Sequence, residues 1–287
     1  VLNAGDYGLA VQERAELLML SDIAGYVGAD TCGCLLAIRQ DQQEEISLMI
    51  DIGTNGEMVL GNRERMVTCS TAAGPAFEGA KIECGMRGAA GAVDHVKYED
   101  GKWNYTTVGN KPAVGLCGSG LIDLVAGLLD AGMLDENGVL RSGQEKQGVF
   151  ILVLPERGGN ERGVYLTQKD LGEVQLAKAA IAAGIQMLME RLGITEDDIC
   201  SVYIAGAFGN YMDPVSAGKI GLLPATLVKK VKPVGNAAGE GAKIALVNEK
   251  EMLEMDELVR KIEFVELAAS ADFQDHIIDE LGFETGE

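Results

Sequence analysis

The chain has 287 residues, and its 44 acidic against 24 basic side chains give a formal charge of -20. Such a balance repels nucleic-acid backbones and anionic lipid surfaces, so neither is expected as a partner. Hydrophobic residues at 47% and charged residues at 24% are ordinary globular usage, and the length predicts two domains or one domain with an insertion.

The most apolar stretch, residues 113–134, is interrupted by Ser119, Asp123 and Asp130 and is too polar to span a bilayer. The opening residues carry no secretory-leader pattern. The six cysteines, Cys32, Cys34, Cys69, Cys84, Cys117 and Cys200, include no CxxC pair and no zinc or iron-sulfur spacing. They read as reduced, mostly buried thiols of a cytoplasmic protein. His95 and His276 have no companion at ligand spacing, so histidine-based metal chemistry is not expected. The 38 glycines direct attention to turns where backbone approaches a ligand closely.

In chain order, residues 1–45 read as a connector ending in a small-residue helix over 28–38. Residues 46–60, ISLMIDIGTNGEMVL, predict two apolar strands around a Gly/Asn turn, with acidic residues at the hairpin's tip end. Residues 68–91 form a small-residue loop predicted to open a short helix near Pro75. Two β-rich runs over 93–108 flank Asp100 and Gly101, a hairpin signal carrying the only tryptophan, Trp103.

Glycines at 115–120 feed a predicted helix, and strands are expected at 149–154 and 164–167. Thr167 and Asp170 predict a capped start for a helix reaching about Leu192, with Val174, Ala177, Ile181, Ile185 and Leu188 on one face. A buried strand over 199–204 ends in AGAFGN, and a strand over 229–234 ends in VGNAAGEGA before another helix. An amphipathic helix over 251–262, a strand over 263–267 and a helix over 272–281 close the chain. Alternating strands and helices define an α/β architecture with a partly parallel sheet.

Taken alone, a Gly-Asn turn between strands is more often a plain hairpin, but glycines at the 53–56 turn can let backbone amides surround phosphate oxygens, and the carboxylate that ends the first strand can hold Mg²⁺ directly or through its water. The DIGTNGE hairpin resembles the second phosphate loop of the actin, Hsp70 and sugar-kinase (ASKHA) superfamily, and AGAFGN resembles its adenosine loop. Together with CSTAAGPAFEGAKIECGMRG, LCGSGLID, LTQKDLGEVQLAKAAI and VGNAAGEGA, they resemble reductive activators of corrinoid proteins over nearly the whole chain.

The resemblance implies an RNase H-like α/β lobe over 46–287 with β-hairpin insertions, preceded over 1–45 by a segment continuing from another lobe. It implies ATP and Mg²⁺ as cofactors and a corrinoid protein as partner, with a homodimer left open. A two-iron two-sulfur cluster and the first phosphate loop belong to an amino-terminal region whose patterns are absent before Ile46.

Carried over by residue, Asp51 would organise Mg²⁺ or water, with Glu57 a second acidic candidate whose side chain could instead run along the strand. Gly53, Thr54, Asn55 and Gly56 would line the phosphates. Ala73, Gly74, Pro75 and Phe77 would approach the nucleotide, and Gly206, Phe208, Gly209 and Asn210 would border adenine or ribose. For Phe208, core packing is equally open. For Gly118, Ser119 and Gly120 the alternatives are nucleotide contact and helix-start packing, and Lys178 either faces solvent or reaches phosphate. Rival functions are an activator of a dehydratase, a small-molecule kinase of the same superfamily, and a noncatalytic nucleotide-gated module.

Overall fold

The chain opens with two short antiparallel strands, β1 (Leu2–Asn3) and β2 (Glu16–Leu17), followed by α1 (Ala29–Ile38). Next comes a meander of β3 (Ile46–Ile52), β4 (Gly56–Gly61) and β5 (Met66–Thr71). The computed structural model describes residues 2–12, 14–141 and 148–283, with the side chains of Ala207 and Phe208 outside that description.

A three-stranded insertion consists of β6 (Ala92–Glu99), β7 (Lys102–Thr107) and β8 (Gly115–Leu116). Its turn places Asp100 at φ 52° and Gly101 at φ 75°, the two left-handed positions that a tight hairpin turn demands. After α2 (Gly118–Asp130), β9 (Val149–Val153) and β10 (Val164–Thr167) form a second antiparallel pair leading into α3 (Gln168–Leu192).

The remainder alternates: β11 (Ile199–Ala205), α4 (Gly206–Gly209), α5 (Pro214–Lys219), β12 (Val231–Gly235), α6 (Ala237–Val247), α7 (Glu249–Val259), β13 (Ile262–Phe264) and α8 (Ala271–Asp279). The central six-stranded sheet has the order β12-β11-β3-β4-β5-β13. Strands β12, β11 and β3 are parallel, whereas the meander is antiparallel. This is the expected RNase H-like lobe with hairpin insertions.

Alternation along β3 and β4 divides the apolar side chains between two layers. Leu48, Ile50, Met58 and Leu60 join a core with α2 and α3, and Met49 and Val59 join a second core with α1, α6 and α7. Helix α3 begins with a capping box: Asp170 Oδ2 accepts from the Thr167 amide at 2.9 Å, and Thr167 Oγ1 accepts from the Asp170 amide at 3.2 Å. Asp170 stands where the capping box usually has Glu or Gln, and its other oxygen accepts from the Glu83 amide at 2.9 Å. One fully buried carboxylate thereby ties the loop after β5 to the start of α3. The predicted stripe from Val174 to Leu188 is buried, and a Cβ at Gly184 would meet the Met58 side chain at 2.3 Å, so the helix lies directly on the meander.

Several expectations are corrected. Residues 75–79 form turns and no helix, because Gly74 at φ 75° and Gly79 at φ 80° bend the chain into left-handed backbone. Lys229 and Lys230 belong to a 3₁₀ segment preceding β12, which is a half-exposed edge strand. Helix α7 ends at Val259 and β13 covers only three residues. Lys178 does not face solvent: it is 2% exposed, donates to the Gly282 carbonyl and lies 5.5 Å from the Phe283 ring centre.

Helices α1 and α6 meet through glycine, since a Cβ at Gly241 would lie 1.9 Å from the Gly33 carbonyl oxygen. Gly172 in α3 has no neighbour within 4 Å of its added Cβ. Urea denaturation should therefore show Gly241→Ala destabilised by about 1 to 3 kcal/mol through forced overpacking. Gly172→Ala should gain up to about 1 kcal/mol from helix propensity. Equal, near-zero effects would contradict the close helix contact.

Candidate functional site

The parallel strands end together. In the sheet's register Ala205 pairs with Gly235 on one side and with Asp51 on the other, Asp51 pairs with Glu57, and Glu57 pairs with Ser70. Four separate sequence motifs thus meet in one row at the carboxyl-terminal edge of β12, β11 and β3, the edge where open α/β sheets bind ligands.

Asp51 lies on the α1 side of the sheet. Its Oδ2 receives the Cys34 thiol at 3.8 Å, and Oδ1 would be only 2.9 Å from a Cβ at Gly206. Gly206 is required twice, by this approach and by its φ of 86°. Burial raises the Asp51 pKa and the Asp30 charge adds to it, with the Cys34 hydrogen bond opposing.

Glu57 does not run free along its strand. Its carboxylate accepts from the Ser70 hydroxyl at 3.1 Å. Burial is the main cause of its raised pKa, opposed by the hydrogen bonds from Ser70 and Asn55, while Asp30 and Asp51 add repulsion. Two half-buried carboxylates therefore face one another across the ladder, with a third charge at the start of α1. Among the described residues no group of three or more His, Cys, Asp or Glu side chains is arranged to enclose a metal. The donor set instead fits Mg²⁺, which keeps several waters and takes one or two carboxylates alongside phosphate oxygens.

At the hairpin tip Thr54 and Asn55 are exposed, and the Gly53 amide donates to the Asn55 carbonyl at 2.9 Å. Gly56 is buried beneath α3, where a Cβ would meet Thr71 Oγ1 at 2.9 Å and Ile181 at 3.2 Å. Its role in the structure is packing, so the tip's open surface belongs to residues 53–55.

In the next loop Gly74 and Pro75 are half-buried, and Ala73 and Phe77 are buried. Phe77 belongs to the main core. Beyond β11, Gly209 packs on Ile204, and Asn210 lies against Gly235, where a Cβ would be 3.0 Å from its side-chain amide. The Phe208 side chain lies outside the described residues. Gly118, Ser119 and Gly120 are buried at the start of α2. The Ser119 hydroxyl donates to the Asp94 carbonyl at 2.8 Å, and a Cβ at Gly120 would lie 2.2 Å from the Val93 carbonyl oxygen. These three are joined to β6, not to the Asp51 row.

Four residues at or beside the row are not among the site residues carried over from the motifs: Asp30, Glu78, Gly235 and Asn236. Asn236 caps α6 by accepting from the Gly239 amide at 3.0 Å, and the VGN motif signalled it. Asp30 and Glu78 carried no local signal, because only tertiary packing brings them to the row and to the hairpin tip.

Residues 45–287 match the family described as the C-terminal domain of RACo, the ASKHA domain. The corrinoid activation enzyme RamQ of Eubacterium limosum is 37% identical over 287 residues, spanning 95% of this chain and 48% of that protein. The Co(II) methylated amine-specific corrinoid protein reductase of Methanosarcina barkeri is 28% identical, spanning 97% of this chain and 54% of that protein. A solved structure of a reductive activator for corrinoid, iron-sulfur protein superposes with a TM-score of 0.90 at 37% identity, over 98% of this chain and 46% of that one. The chain thus spans about half the length of the relatives it matches.

Cys32, Cys34, Cys69 and Cys117 are buried, and Cys200 is exposed. Burial first, then Asp22 and Asp30, pushes the Cys32 thiol up to about 12. Burial and the Asp51 charge push Cys34 higher. At pH 8 such thiols are about 10⁻⁴ thiolate or less, and the thiolate is the reactive form. Iodoacetamide followed by peptide mass spectrometry should modify Cys200 and spare Cys32 and Cys34 in the folded protein. Rapid labelling of Cys34 would contradict its burial beside Asp51.

Proposed function

This chain belongs to the family of RACo C-terminal ASKHA domains, and on that premise we propose that it is the ATP-hydrolysing part of a larger reductive activator. That activator drives one-electron reduction of cobalt(II) to cobalt(I) in a corrinoid protein of methyl-transfer metabolism. The reading is supported by the relatives' activities, one a corrinoid activation enzyme and one a Co(II) corrinoid protein reductase. Residues 1–45 would continue from the other lobe of that protein, and 46–287 would form its carboxyl-terminal nucleotide lobe.

The observation that carries the reading is the single row from Gly235 through Ala205, Asp51 and Glu57 to Ser70. The hairpin tip at 53–55 would take the phosphates, and the Gly206–Asn210 turn with Gly235 would border the nucleoside. Burial raises the pKa of both Asp51 and Glu57, with the Asp30 charge adding to each and Asp51 adding to Glu57, so the two carboxylates would hold a divalent cation that arrives with the phosphates and favours their charged forms. Mg²⁺ supplies charge balance at the phosphates when bound. The chain's residues would orient it: the Cys34 thiol donates to one oxygen of Asp51 while the missing side chain of Gly206 leaves room for the other, and Ser70 and Asn55 donate to Glu57. The electron would come from a two-iron two-sulfur cluster in the part of the protein outside this chain, with ATP supplying the free energy of an uphill transfer.

Two measurements test the reading. Because the superfamily closes two lobes around ATP, isothermal titration of this chain alone should give millimolar affinity at best, about -4 kcal/mol, and nanomolar binding would place the site wrongly. In the full-length protein Asp51→Asn should lower the ATPase rate by a factor on the order of 10² or more, the scale of one lost preorganised electrostatic contact. The melting temperature without Mg²⁺ should stay equal or rise, since the fold already disfavours the ionised form that the variant removes. Normal hydrolysis with a lowered melting temperature would assign Asp51 to structure instead.

A further inference from the structure

The hairpin tip has a second acidic neighbour on the side of the loop after β5. Glu78 Oε1 accepts from the Thr54 hydroxyl at 3.2 Å and lies 3.6 Å from the point a Cβ on Gly53 would occupy. The space that glycine leaves open at the tip is therefore flanked by a carboxylate.

Its position is fixed. A Cβ at Gly79 would lie 2.5 Å from the Met86 amide nitrogen, and one at Gly85 would lie 2.2 Å from the Gly79 carbonyl oxygen, so residues 79–86 close on themselves backbone to backbone. The Glu83 amide in turn donates to the buried Asp170 at the start of α3. Among the described residues Glu78 makes no ion pair, whereas Lys81 three positions on is held by Glu173 at 3.0 Å.

A carboxylate on a rigid loop beside a phosphate-binding tip cannot accept from an unprotonated phosphate, and anion beside anion is repulsive. It can accept a hydrogen bond from a water placed between itself and the terminal phosphate. Resting on the nucleotide reading above, we infer that Glu78 is a catalytic residue that orients and deprotonates the water attacking the γ-phosphorus of ATP. The water oxygen bonds to that phosphorus as its bond to the bridging oxygen of ADP breaks. The water proton passes to the Glu78 carboxylate and then to solvent, leaving ADP and inorganic phosphate. Thr54 steers the carboxylate through its hydroxyl while its own backbone remains at the tip.

The test uses the full-length protein and three variants. Glu78→Gln keeps an oxygen to accept from Thr54 and removes the base, Glu78→Asp keeps the base on a shorter stem, and Thr54→Val removes the hydroxyl that steers it. MgATP affinity by titration, single-turnover hydrolysis and melting temperature are measured on each. Positioned general bases are worth about 10² to 10⁴ in rate. Glu78→Gln should lose at least about 10²-fold in hydrolysis, bind MgATP within about threefold of the unaltered protein and melt at the same temperature. Glu78→Asp should recover part of the rate, and Thr54→Val should fall between. Hydrolysis by Glu78→Gln near the unaltered rate would overturn the assignment, as would a fall in affinity matching the fall in rate, which would make Glu78 a support of the tip. An unaltered protein that binds MgATP without hydrolysing it would defeat the parent reading first, and this assignment with it.

Discussion

The parallel register of β12, β11 and β3 is the constraint on which the site depends. A one-residue slip in a strand exchanges its two faces, and a slip of β3 would turn Asp51 from the α1 layer into the core against α3. Burial of Leu48, Ile50, Met58 and Leu60 on one face and Met49 and Val59 on the other prevents it. The same apolar alternation that builds two cores therefore aims the carboxylates of Asp51 and Glu57 at one place.

That place is costly for the protein alone. Asp51 and Glu57 are directly opposite in the ladder, where like charges destabilise a sheet. The charge of Asp30, at the start of α1, adds to both. The Cys34 thiol, held neutral by burial, can only donate to Asp51 and so offsets a part of this. Side chains that conflict with the stability of their own fold mark functional sites more often than structural ones. A bound cation and polyphosphate would remove the conflict, which couples ligand binding to the order of the sheet edge.

The elements that were legible in the amino-acid sequence are those set by local chemistry. The 46–60 hairpin, the Asp100–Gly101 turn, the cap of α3 and its buried stripe all follow from periodicity and turn residues, and all are found. The helix expected at Pro75 failed because two left-handed glycines outweigh one proline. The place of Lys178 is not legible locally, because the carbonyl of Gly282 and the ring of Phe283 that receive it are far along the chain. Gly56 and Gly120 stand in motifs as ligand glycines, and tertiary packing adds a need for small residues that the motif does not reveal, since α3 and β6 approach them closely. Glu78 was invisible for the converse reason: an ordinary acidic residue in a loop acquires meaning only when tertiary packing sets it beside Thr54.

The central claim is that MgATP bound along this row drives electron transfer to cobalt. It is tested most directly by mixing the full-length protein, its corrinoid protein and a weak one-electron donor under anaerobic conditions, and following cobalt(I) optically while phosphate release is counted. Cobalt(I) should accumulate with ATP and Mg²⁺, in proportion to phosphate released, and should not accumulate with a nonhydrolysable analogue. Equal cobalt(I) formation with and without nucleotide, or phosphate release indifferent to the corrinoid protein and to reduction, would contradict the account.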